Sequence, residues 1–538
     1  MKYDISAMGN ALVDTQFKVD HSFLNKFNLI ADQMIIATKE QQDAMLYELM
    51  NMGSESVSDC GGSATNSLVA ASYFGSNCHH ICRISDDEDG KKYLESLTNA
   101  KIKHIGFTKT ESDLSTGKCL ILVTPDAART MISVLGVSAS LCEEDIDIEV
   151  IKNSELFYIE GYMVTTDDNF AAVSKVLSSG YITQGPEVEK FEEVLKKYFN
   201  NEKVVTTNSA TSGLHLIFHM LKEYGLGEDK IKIDTSNDHV LTTPLTCTAT
   251  NWPIILNGIN LRWVDVNPEN CNIDLDDLEN KLNKNTKAVL IVHWGGYPVD
   301  LDRLRDIQNN FYQKFGFKFV IIEDSAHAFG TKTDKEMIGN TGNISSFSFQ
   351  AIKHLTSVDG GCINFNFKED VERAKLLRWY GIDREENRKD FRCESDILNV
   401  GFKFHMNDVN AYIGRMNFEP VTKDLLKKHV ENGIYYNNNL KNIENVELMN
   451  YSNDYSVPFW IYTIKVKNRD KFMEHMKNKN IIVSRVHERN DKHTATKSYQ
   501  EDLPLLESFI DEMVCIPVGW WVGEEEREYI VESIKEGW

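Results

Sequence analysis

Beyond residue 202, short apolar runs alternate with amphipathic stretches. KVVTTNSATSGLHLIFHML passes from a β-branched run through small residues into a helical pattern. Leu214, Ile217, Phe218 and Leu221 recur there at i, i+3, i+4 and i+7, the spacing of a buried helix face. The runs HVLTTPL, INLRWVDV, AVLIVHW, FKFVIIED and ISSFSF follow, several of them separated by helical stretches. Nearly continuous apolar strands alternating with helices predict an α/β fold, with a mostly parallel sheet covered on both faces. From about Lys423 the patterns FWIYTIKVK and NIIVSRVH predict a smaller α+β lobe. Up to Leu177 the texture differs: short strands, Gly-rich turns and helices, with Pro125 as the only proline. The join DNFAAVSKVLSSGYITQG runs from amphipathic helix into loop without a flexible spacer. The expected organisation is therefore 1–177, 178–422 and 423–538.

Composition narrows the classes. The chain has 538 residues, 42% of them hydrophobic and 26% charged, as globular proteins do. Its net charge of −23 argues against a non-specific nucleic-acid binder, which needs a basic footprint. No apolar run reaches membrane-spanning length, and MKYDISAMGN lacks the pattern of a signal peptide, so a cytoplasmic protein without a membrane partner is expected. Ten scattered cysteines form no disulfide framework. Cys78 and Cys82 bracket His79 and His80, but no second pair sits at ligand spacing, and NCHHICRIS reads as the approach to a buried strand. No metal site is expected.

Sites on open parallel sheets lie at the carboxyl ends of the strands. Asp324 closes the run FVIIE, Lys353 follows ISSFSF, and Thr211 and Ser212 sit where a helix begins after Val205. A helix N-terminus suits a phosphate. A carboxylate for a pyridine nitrogen, a lysine for an aldehyde and a phosphate cradle are the parts that pyridoxal phosphate requires. Taken singly, Asp324 could be a helix cap, Lys353 a solvated lysine, and Thr211 and Ser212 caps.

From about Gly180 to Trp538, some two-thirds of the chain, the sequence resembles the DegT/DnrJ/EryC1/StrS family of fold-type I pyridoxal-phosphate sugar aminotransferases. The motifs that carry it are SGYITQGPEVEKFEE, TNSATSGLHL, PLTCTATN, VHWGGYPVDL, IIEDSAHAFG, SFSFQAIKHLTSVDGG, NVGFKFHMNDVNAYIG, SRVHERNDKHT and CIPVGWWVGEEEREYIVESI. The resemblance implies that Lys353 is the Schiff-base lysine, that Asp324 partners the pyridine nitrogen and that His327 lies near the ring hydroxyl. It also puts Ser348, Thr211 and Ser212 on the phosphate. Cys247 stands where relatives often have an aromatic residue stacked on the cofactor. In the family's G-x-N-x-R pattern an Asn reaches the phosphate of the neighbouring subunit; here the pattern reads Gly401, Lys403 and His405, and Lys403 would make a charged contact instead. Glutamate is the expected amino donor, a nucleotide-linked keto sugar the acceptor, and a homodimer with shared sites the assembly. Arg485, His487, Arg489, Lys492 and His493 are candidates for the substrate diphosphate, or else a solvated charged loop. Some relatives replace the lysine with His and become dehydratases; Lys353, followed by His354, favours amino transfer.

Residues 1 to about 177 resemble the PfkB carbohydrate kinases, especially the adenosine-kinase-like branch, through MGNALVD, DCGGSATNSLVAASYFG, CRISDDEDGKKY, STGKCLILVTPDAARTM and YIEGYMVT. The resemblance implies a truncated ribokinase-like segment with a vestigial sugar site at Asp14, Gly61, Gly62 and Asn66. Gly61 and Gly62 could equally form a tight turn before a helix. No GAGD-type motif, the source of the catalytic base and anion hole, occurs in the chain, so kinase activity is not expected. A catalytically impaired fusion with a binding or structural role is the alternative to an active aminotransferase.

Overall fold

In the first part of the chain nine strands follow one another among the described residues: β1 Tyr3–Met8, β2 Leu12–Lys18, β3 Met34–Ile36, β4 Ser56–Gly61, β5 Cys78–Ile81, β6 Lys103–His104, β7 Gly117–Val123, β8 Arg129–Val134 and β9 Ser154–Ile159. They form a parallel sheet in the order β6-β5-β1-β9 and a mixed sheet in the order β3-β8-β7-β2-β4. The computed structural model describes residues 2–54, 56–104, 106–107, 114–160, 184–383, 396–452 and 455–538. It divides into two compact units, Met1–Ile182 and Thr183–Trp538. The junction expected near residue 177 lies outside the described residues. The expected buried strand at NCHHICRIS is β5, buried at all four positions. His80 is not free for a metal: its Nε2 meets Thr65 Oγ1 at 3.1 Å and its Nδ1 faces the Ala7 carbonyl.

The second unit is built on β10 Val204–Thr207, β11 His239–Thr242, β12 Asn260–Trp263, β13 Thr286–Val292, β14 Val320–Asp324, β15 Ile344–Ser348 and β16 Gly361–Asn364. The sheet order is β10-β16-β15-β14-β13-β11-β12, parallel throughout except at β16, which runs against both neighbours. Each apolar run read from the sequence is a strand here. The helix Ala210–Glu223 buries Leu214, Ile217, Phe218 and Leu221 against one sheet face, while Val188, Phe191, Leu304 and Phe311 cover the other.

Helix Asp408–Pro420 continues through a wider turn, Val421–Leu425, into helix Leu426–Asn439. Pro420 lacks the N–H for regular i−4 bonding, which accounts for the irregular turn there. The expected lobe boundary at residue 423 falls in this turn. Beyond it come β17 Val446–Leu448, β18 Tyr462–Val466 and β19 Met513–Ile516, an antiparallel sheet in that order. NIIVSRVH departs from expectation. It forms no named strand; a bridge at Ser484 and the Cys515 thiol on the Val486 carbonyl tie it to β19, with Ile482 85% exposed. Ile481 and Val483 alternate into the core of the small lobe on either side of exposed Ile482, but beyond Ser484 no further ladder forms among the described residues, and the segment delivers His487 to the large sheet.

Gly361 lets β16 and the helix Ala210–Glu223 approach: a Cβ there would lie 2.5 Å from the Ala210 nitrogen and 2.7 Å from the Phe347 carbonyl. Both neighbours are backbone and cannot rotate away. Gly361→Ala should therefore lower unfolding stability by about 1–3 kcal/mol, read as a lower urea midpoint at unchanged m-value.

Candidate active site

Asp324 is the last residue of β14 and is buried. Its carboxylate accepts the Thr250 hydroxyl at 2.7 Å and the Ala326 N–H at 3.0 Å. Thr250 stands on the helix Thr248–Leu256, whose N-cap is Cys247. The next strand end carries Ser348, paired with Gly361. Gly361 packs on Ser209 and Ala210, so Ser348 and the helix N-terminus meet at one place. Ser209 caps that helix, its Oγ accepting the Ser212 N–H at 3.1 Å and donating to Ser212 Oγ at 3.0 Å. Thr211 is exposed and Ser212 half-buried, so both hydroxyls stand at an open helix N-terminus.

Lys353 Nζ lies 3.6 Å from the centre of the Trp460 ring. That indole stacks on His327 with centroids 4.0 Å apart and planes 19° from parallel. His487 lies parallel to His327 at 5.7 Å, and Trp294 stands edge-on to both imidazoles. The His327 Nδ1 is buried without a hydrogen-bond partner, as is His487 Nε2. Burial, reinforced by the charge of Lys353, holds His327 well below the usual histidine range and His487 down at about 4, so both are neutral near pH 7. Burial brings the Lys353 amine down to about 8, against the opposing pull of Asp324 and Cys247.

The sequence candidates thus separate. Lys353, Asp324, His327, Cys247 and His487 are neighbours, and Ser348 joins Ser212 and Thr211 at the helix end. Lys403 has an exposed side chain, while its carbonyl accepts the Asn208 side-chain amide at 3.2 Å, beside that same helix. Arg489 differs from expectation. It is buried, gripping both carboxylate oxygens of Asp491 (2.8 and 2.7 Å) and Glu507 at 2.7 Å, which makes it a structural ion pair rather than an open diphosphate ligand. Lys492 also meets Glu507, His493 packs edge-on to Trp252, and Arg485 is exposed. Thr250, Trp460 and Asn490 were missed. Asn490 donates to the Thr246 carbonyl at 2.7 Å and accepts from Asn251 at 2.9 Å, hooking the late segment onto the loop that carries Thr250. The only sequence signal for Thr250 was its place at the start of a helix.

This arrangement has counterparts in known proteins. The profile of the DegT/DnrJ/EryC1/StrS aminotransferase family matches residues 164–535. The chain belongs to that family. The solved structure of AtS13 from Actinomadura melliaura is 42% identical, covering 68% of this chain and 95% of its own, with a TM-score of 0.63. The sugar aminotransferase CalS13 from Micromonospora echinospora is 38% identical over 68% of this chain and 96% of its own, also with a TM-score of 0.63. A UDP-4-amino-4,6-dideoxy-N-acetyl-beta-L-altrosamine transaminase of Campylobacter jejuni is 30% identical over 57% of this chain and 71% of its length. The pfkB carbohydrate kinase profile matches residues 25–208, overlapping the start of the aminotransferase match.

Outside the aminotransferase unit, the N-terminal unit encloses a cleft of about 260 Å³ lined by Asn10, Asp14, Gly62, Asn66, Arg129 and Glu160, with apolar walls from Met34, Ile36 and Met131. Gly62 caps the helix Ser63–Tyr73 with φ +96°, a conformation that favours glycine. Gly61 does not line the cleft; a Cβ there would collide with the Asp14 carboxylate. Glu160 is internally satisfied, accepting the Asn10 N–H at 2.6 Å and the Ala64 N–H at 3.0 Å. Burial raises Asp14 to about 6, with Arg129 pulling the other way.

In this aminotransferase-family chain, reductive methylation followed by NMR titration should reveal a lysine resonance with a midpoint near pH 8, absent from Lys353→Arg. Because Asp14 titrates above an unfolded Asp, it stabilises the fold in acid and loses that contribution as pH rises through about 6. Removing the Arg129 charge in Arg129→Met should move the Asp14 midpoint upward, which NMR of the carboxyl carbon would detect.

Proposed function

We propose that the chain transfers an amino group from glutamate to a nucleotide-linked keto sugar with pyridoxal phosphate as its cofactor. One observation carries the reading: a lysine amine brought down to about 8 shares a strand-end site with a fixed, buried carboxylate. The residues fit the group. An unpartnered imidazole nitrogen on His327 suits the ring hydroxyl, and Ser348, Ser212 and Thr211 surround a helix N-terminus that suits the phosphate. Bound pyridoxal phosphate supplies an aldehyde that exchanges amines and a ring that accepts carbanion electrons.

This chain's residues do the rest. Asp324, locked by Thr250 and Ala326, keeps a proton on the pyridine nitrogen. Lys353 is neutral above about pH 8 and moves the α-proton between substrate carbon and its own Nζ. The Trp460 ring covers its Nζ, and Trp294 closes off the two imidazoles beside it. His487 Nε2, a neutral nitrogen at the same place, offers a hydrogen bond to the sugar. Arg485, Lys492 and His493 remain for the diphosphate once Arg489 is set aside. The presence of Lys353 favours amino transfer over dehydration. A homodimer is the expected assembly, supported by Leu398 and Val400, 83% and 85% exposed near Lys403. The cytoplasm is the expected compartment.

The cleft of the N-terminal unit, with Asp14 and Asn66 among its polar groups, supports a sugar-hydroxyl site without phosphoryl transfer. The lack of a GAGD-type motif supports binding over kinase turnover.

The test is absorbance of the purified chain with pyridoxal phosphate, before and after glutamate. A visible cofactor band that glutamate shifts to shorter wavelength is the expected result, and a folded chain without a band would overturn the reading. Lys353→Ala should lower transamination by about 10³-fold or more, and an unimpaired rate would refute the assignment.

A further inference from the structure

Among the described residues β10 is the last strand of the large sheet, bonded on one side, to β16. The backbone groups on its free edge need partners from elsewhere. At Thr206 those partners are a buried ion pair. Glu192, on the helix Pro186–Phe199, accepts the Thr206 N–H at 2.9 Å and its hydroxyl at 2.7 Å. Arg378, just after the helix Lys368–Leu377, donates to the Thr206 carbonyl at 2.6 Å and to the same Glu192 oxygen at 2.6 Å. Both charged side chains are buried. Burial alone would raise the Glu192 carboxyl, but the Arg378 charge and the Thr206 bonds hold it below the usual range.

Arg378 grips a second time with its backbone. Its carbonyl accepts the Phe404 N–H at 2.9 Å, and the Phe404 carbonyl accepts the Asn208 N–H at 2.7 Å. Thr206, near the end of β10, and Asn208, which leads from the strand to the N-cap Ser209 of the helix Ala210–Glu223, are therefore both fixed by way of Arg378. The turn they hold carries Ser209, Thr211 and Ser212. We infer that Glu192 and Arg378 are positioning residues that set this turn for the cofactor phosphate, without touching the cofactor themselves. This rests on the pyridoxal-phosphate reading above. An unpaired buried charge is costly, so each single replacement should disturb the edge it supports.

The experiment uses the full chain and two probes, pyridoxal phosphate and pyridoxal, which lacks the phosphate. Visible absorbance titrations give the affinity of each. In Glu192→Gln and Arg378→Met, pyridoxal phosphate should bind about tenfold more weakly or worse, while pyridoxal binds as in the unmodified chain. Arg378→Lys should recover part of the loss by restoring a charge. If the single variants fail to fold, the pair Glu192→Leu with Arg378→Met removes both charges together and keeps the comparison available. Equal loss of both probes would mean a general structural role, and unchanged binding of both would mean no role; either overturns the inference. Absence of any band from the unmodified chain would instead overturn the cofactor reading, and this inference with it.

Discussion

The aminotransferase unit depends on keeping one carboxylate out of water at the end of a parallel strand. Asp324 has no cation bonded to it among the described residues; a threonine hydroxyl and a backbone N–H hold it instead. Such neutral donors stabilise the charge without cancelling it, so its field still reaches Lys353, where it opposes the fall in the amine's pKa. The Thr250 hydroxyl is itself bonded to Thr246, whose carbonyl is bonded to Asn490. The small lobe is thereby joined to the carboxylate through a short relay of uncharged groups.

A second set of buried charges sits one residue earlier on the same strand and does a different job. Glu323 points to the opposite face, where Thr341, Asn343, Ser345 and His293 all bond to it. The Val299 N–H donates to His293 Nδ1, which leaves Nε2 to carry the proton toward Glu323. Strand alternation separates the two acids: Glu323 organises the loops behind the sheet, and Asp324 faces Thr250 and Lys353. The ion pair of Glu192 and Arg378 works like the first of these, supplying a free strand edge with partners that no neighbouring strand provides.

The N-terminal unit has a different balance. Its cleft is lined by strands of the mixed sheet and by the glycine-capped helix, and burial raises the Asp14 carboxyl that faces it. Glu160 cannot serve there as a free acid, because the Asn10 and Ala64 backbone amides already occupy it.

Much of this was legible in the sequence. Run length and apolar or β-branched content marked the strands from β10 to β15, because strands in a sheet covered on both faces bury most of their positions. The spacing of Leu214, Ile217, Phe218 and Leu221 likewise determined which face of its helix is covered. Asp324, Lys353 and the small residues before Leu214 stood out as candidates because they fall after strands and at a helix start, and the family resemblance was needed to give them roles. The tertiary structure alone decided the rest. Arg489 looked like one basic residue among several, and only the folding of Asp491 and Glu507 around it makes it structural. Trp460 and Asn490 carry no local signal and Thr250 only that of a helix start; their roles arise from contacts between segments up to 244 residues apart. NIIVSRVH has a strand's composition, yet it stays extended because its neighbours offer it one bridge and a site to reach. Local chemistry sets what an element can be, and long-range packing sets which of its groups are left free to act.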